Sequence, residues 1–113
     1  MTFLRPFAFV VASVPLPESK WHHQLAGANV HIWVMDNSID SARNRAICYI
    51  QDQAWEPHEI RFETEIPREQ IPSLGKGEAR LYNQALTSGL AADFLAFPLQ
   101  DGDPDDPVVI GQL

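Results

Sequence analysis

Asn29-Val30-His31-Ile32-Trp33-Val34-Met35-Asp36 is the stretch on which the fold of this chain turns. In a β-strand its side chains alternate across a sheet. Val30, Ile32 and Val34 then form one apolar face. His31, Trp33 and Met35 form the other, where a half-exposed strand would carry small polar or charged groups. A second face that is itself sticky has to be covered by more of the chain, by a partner subunit or by a ligand.

Upstream, residues 7–14 are a continuous apolar run rich in Phe and Val, stopped by Pro15-Leu16-Pro17. Its length and composition predict a strand. One Arg before an apolar run imitates a signal peptide, but the run is short and broken by prolines, so a strand is the expectation. Residues 18–28 admit two readings, a short helical turn or the arm of a hairpin turning near Ala26-Gly27. In the hairpin reading Trp21 faces Trp33 and His23 faces His31 on one face of the sheet.

Downstream, Asp36-Asn37-Ser38 is a helix start, because each side chain can accept from a free amide of the first turn. Ile39, Ala42, Ala46, Ile50 and Gln53 share one side at helical spacing, which predicts a helix over 39–53 with Cys48 opposite the apolar stripe. Trp55-Glu56-Pro57 ends it. Residues 59–66 alternate as a third strand, with Ile60, Phe62 and Ile66 on one face and Arg61, Glu63 and Glu65 on the other. Residues 67–76 read as a loop. Residues 77–88 read as a second helix burying Ala79, Leu81, Tyr82, Ala85 and Leu86, with Gly89 as its left-handed cap. Residues 92–97 form a fourth strand. Ile32, Val34, Ile50, Phe62, Leu81 and Leu95 are expected in one core.

The order β, β, α, β, α, β predicts an α+β fold. Its centre is a four-stranded, mainly antiparallel sheet with two helices on one face, a ferredoxin-like or split-βαβ variant. Residues 1–100 make one domain, and 101–113 make an acidic tail containing Pro and Gly. A chain of 113 residues suits one domain, and 45% hydrophobic with 20% charged residues marks it as globular. Eight basic against fifteen acidic residues give a charge of −7. That disfavours nucleic acid and anionic membranes as partners and suits a basic protein partner or a cationic ligand. The single cysteine, Cys48, leaves no internal disulfide and fits a cytoplasmic location. No stretch approaches the ~20 apolar residues of a membrane span.

The motifs that could carry chemistry are weak ones. Asp101-Gly-Asp-Pro-Asp-Asp resembles a calcium loop in composition, but Asp106 and Gln112 stand where the loop wants Gly and Glu. A solvated acidic linker is the better account. His22, His23, His31 and His58 lack the converging third and fourth ligands that zinc needs. Cys48 has Asn44 and Arg45 one turn away but no base near it in sequence. Ser73-Leu74-Gly75-Lys76-Gly77 lacks the spacing of a phosphate loop. No cofactor, metal or catalytic residue is therefore expected.

In element order and patterning, residues 5–98 resemble dimeric ferredoxin-like domains whose open sheet faces pack together. The resemblance implies no catalytic residues. The expectation is a small non-enzymatic binding or protein-interaction domain, a homodimer, pairing through an open sheet face around Trp33. His31, Met35, Trp21 and His23 join Trp33 as candidate ligand- or partner-binding residues. The alternative is a small cofactor-free enzyme or a carrier of a small molecule, with His31, Trp33 and a carboxylate lining a pocket.

Overall fold

A computed structural model describes residues 4–19, 22, 24–98 and 108–111. The sheet is built on two long central strands, β1 (Arg5–Pro15) and β2 (Leu25–Asp36), paired antiparallel with Phe7 opposite Val34 and Ala8 opposite Trp33. β3 (Trp55–Glu65) joins the outer side of β1, and β4 (Leu90–Pro98) joins the outer side of β2. Every pairing is antiparallel, and the order is β3-β1-β2-β4 with a short fifth strand, β5 (Val108–Gly111), beside β4. The chain is thus an α+β protein with a four-stranded antiparallel core sheet and two helices, α1 (Ile39–Asp52) and α2 (Lys76–Ser88), packed on it. β2 and β3 both run opposite to β1, so α1 links two parallel strands with β1 inserted between them, a split βαβ unit.

The helices lie on opposite faces of the sheet, not on the same one. α1 buries Ala42, Ala46 and Ile50 against Phe7, Phe9, Val11, Val30, Ile32 and Val34. α2 buries Leu81 and Ala85 against Ala8, Trp33, Met35 and Ala91. Alternation along β2 forces this division: both faces of the strand are apolar, and each receives one helix. The expected single core is accordingly two. Ile32, Val34 and Ile50 belong to the first and Leu81 to the second.

Local signals set the helix ends. The Ser38 hydroxyl accepts from the Ser41 amide at 3.2 Å and opens α1 as anticipated. Gly89, at φ 87°, closes α2 in the left-handed region. At the end of α1 the same conformation falls on Ala54, at φ 63°.

Three local readings change. The chain does not turn at Ala26-Gly27, because β2 already begins at Leu25 and runs straight through. Trp33 therefore has Ala8 and Ala91 as its neighbours across the sheet, and His31 has Val10 and Asp93. Their supposed partners Trp21 and His23 lie outside the described residues. β3 starts at Trp55 and contains Pro57, tolerated because β3 has only β1 beside it. It also has two bulges against β1: Val10 pairs with Phe62 but Val11 with Ile60, and Ala12 with Glu59 but Ser13 with Pro57. The extra residue between Ile60 and Phe62 breaks strict alternation. Ile60 packs against the α1-side core, whereas Phe62 turns to the other face and is 51% exposed. Finally, residues 108–111 add a strand to the sheet, where a tail separate from the domain was expected; residues 101–107 lie outside the described ones.

Candidate functional site

The surface expected to be open around Trp33 is occupied by α2. The Trp33 ring is 5% exposed and meets Tyr82 edge-on, with 6.1 Å between ring centroids. Tyr82 comes from the helical stripe that was read as inward-facing, so the chain covers its own second face. His31, two residues back on β2, is half-buried beside Asp93 of β4. Burial pulls its pKa below the ordinary value, and the nearby negative charges of Asp93 and Glu78 offset this only in part. Asp93 in turn bonds to Arg80 of α2. The carboxylate closest to the pocket reading is therefore tied into an ion pair, and Trp33 is buried beneath α2. Among the described residues no group of three or more His, Cys, Asp or Glu is gathered to hold a metal ion.

At the end of β2 a polar latch fixes the layers. Asp36 is 7% exposed and accepts from the Asn37 amide at 2.7 Å, the Ser41 hydroxyl at 2.9 Å and Arg45 at 3.2 Å. Burial alone would raise its pKa; these donors outweigh burial and hold the carboxyl below the usual range. Arg45 also donates to the carbonyls of Met35 at 2.7 Å and Gly89 at 3.3 Å. One guanidinium thus joins α1, the end of β2 and the cap of α2. Met35 is held by its backbone on both sides, since its amide donates to the Gly89 carbonyl at 2.9 Å.

Of the described candidates, Met35 lines a groove at the end of the sheet. The groove, of about 650 Å³, runs between α2, the sheet end and a short 3-10 helix, Arg68–Ser73, that the sequence reading left as a loop. Ile66 and Pro6 supply its floor beside Met35, and their strands are tied by the Ile66 amide donating to the Pro6 carbonyl at 2.9 Å. Ile71 and Pro72 of the 3-10 helix form one wall, Tyr82 and Leu86 of α2 the other, and Leu4 closes an end. Leu86, expected in the core, is 52% exposed, and Leu4 is 60% exposed. The cause is helical phase: α2 turns Leu81 and Ala85 squarely onto the sheet, which swings Leu86 toward the helix flank. Three charged residues, Arg5, Glu65 and Arg68, also line the groove. Arg5 is paired with Glu65 at 2.9 Å, and Arg68 makes no ion pair or hydrogen bond among the described residues.

Leu4, Arg68, Ile71 and Pro72 escaped sequence reasoning. Only their tertiary position makes them a site; Ile71 and Pro72 look like any turn residues. The exposed side of α2 was the one usable signal, because five apolar residues claimed as buried are more than one helix stripe can bury. No family model, curated protein or solved structure matches the chain.

Proposed function

We propose that the chain is a small non-enzymatic binding domain whose recognition surface is the groove between α2 and the 3-10 helix. One observation carries this reading. Three large apolar side chains are left exposed among the described residues, and two of them, Leu4 and Leu86, line this one groove. Scattered exposed leucines need no explanation, but two on the same cavity mark a surface that gains by being covered. The volume lies within the ~300–1,000 Å³ range of small-molecule sites. Its two walls come from α2 and the 3-10 helix rather than from long loops. The polar latch at Asp36 holds the lining residue Met35 by its backbone.

A neutral apolar fluorophore such as N-phenylnaphthylamine tests the reading. Saturable emission enhancement at one probe per chain is expected. Leu86→Glu should abolish it, and Asn44→Glu on the exposed side of α1 should not. Equal binding by a folded Leu86→Glu protein would overturn the assignment of the groove.

A further inference from the structure

We propose that the groove takes a single-chain anionic amphiphile, an alkyl carboxylate, with its tail against Met35, Ile71 and Leu86 and its headgroup on Arg68; this rests on the binding reading above. Three features of the lining point to it. The first is charge. The whole chain carries −7, yet its groove is lined by an arginine, Arg68, with no counter-ion among the described residues. Arg5 is neutralised by Glu65, and Glu69, the neighbour of Arg68 in the chain, does not line the groove. The uncompensated charge among the described lining residues is thus cationic, against the sign of the molecule. A guanidinium binds a carboxylate through two parallel N–H···O bonds.

The second feature is how few uncharged hydrogen-bonding side chains line the groove. Among the described lining residues Tyr82 is the one uncharged side chain that can hydrogen-bond, and two others, Pro6 and Pro72, have no backbone N–H to give. A peptide would bring one donor and one acceptor per residue and bury most of them without partners. An alkyl chain brings none. The third is the balance of the lining: mostly apolar side chains with one charge unpaired among the described residues match a molecule that is apolar along its length and charged at one end only.

Three ligands of equal tail length decide the matter: dodecanoate, dodecanol and dodecyltrimethylammonium, each titrated below its micelle concentration by calorimetry. Dodecanoate should bind at one per chain, at least about tenfold more tightly than dodecanol, as one charge-assisted hydrogen bond would give. The ammonium should bind most weakly. Arg68→Gln should remove the preference for dodecanoate over dodecanol while leaving dodecanol binding unchanged, and Arg68→Lys should restore part of it. Equal affinity for all three tails, or an Arg68→Gln protein that still prefers the carboxylate, overturns the headgroup assignment and leaves the groove reading standing. No binding of any of the three overturns both.

Discussion

Two titratable residues of β2 couple the fold to pH in opposite surroundings. Asp36 has its pKa held below the ordinary 3.8, so the folded state favours the charged form. Its contribution is fully present above that ordinary value and is lost as pH falls through the depressed folded one. Asp36→Asn should cost about 1–3 kcal/mol at neutral pH, because the Ser41 hydroxyl and Arg45 lose a charged acceptor. The gap between wild type and variant should close on acidification below about pH 4, read by denaturant unfolding at a series of pH values. His31 has its pKa lowered from 6.5 by burial, so the folded state favours the neutral ring. That contribution is present above pH 6.5 and is lost as pH falls from there to the folded value. His31→Gln should remove the slope of stability in that window, and an unchanged slope would place His31 in solvent. Neither effect was legible in the sequence. Asp36 was recognised as part of a helix start, but its three donors come together only when β2 and α1 meet.

At the scale of elements, the two helices end in the same backbone conformation with different residues. Gly89 supplies positive φ without strain, and a Cβ there would lie 3.1 Å from the Arg45 guanidinium. Gly89→Ala should therefore cost about 1–2 kcal/mol, lowering Tm. Ala54 pays for a left-handed φ of 63° after α1, and Ala54→Gly should stabilise by about 0.5–1 kcal/mol despite the added chain entropy. Opposite signs from the mirrored substitutions, measured by thermal unfolding, are the expected outcome. These elements also show what the sequence revealed. The cap at Ser38, the stripe Ala42, Ala46 and Ile50, and the stop at Gly89 are local signals, and each is where the periodicity placed it. β3 is different. A bulge is a relation between two strands, so nothing within residues 55–65 announces that Phe62 leaves the face of Ile60. Ile50→Ala should cost about 2–5 kcal/mol, whereas Phe62→Ala should cost less than about 1 kcal/mol. A large loss at Phe62 would mean that the strand keeps its alternation.

For the whole molecule the decisive fact is that one sheet is covered twice. The sequence made both faces of β2 apolar, and three agents could have covered the second: the chain, a partner or a ligand. Alternation shows that cover is needed but does not say what supplies it; the choice depends on which side of the sheet α2 crosses, a matter of topology. α2 crosses to the Trp33 side, leaving α1 alone on the other. This changes what a charge at position 33 should do. On an open pairing face, Trp33→Glu would give a folded monomer with a normal helical signal. Beneath α2 it removes the ring that Tyr82 packs against and buries a carboxylate with no partner. A loss of several kcal/mol is a large part of the ~5–15 kcal/mol that holds a domain together. Trp33→Glu should thus abolish the cooperative unfolding transition. Leu86→Glu, on the same helix but 52% exposed, should stay within about 0.5 kcal/mol of wild type. Circular dichroism during denaturation reads both. A well-folded Trp33→Glu protein would show that α2 does not cover this face, and with it would fall the groove that α2 helps to build.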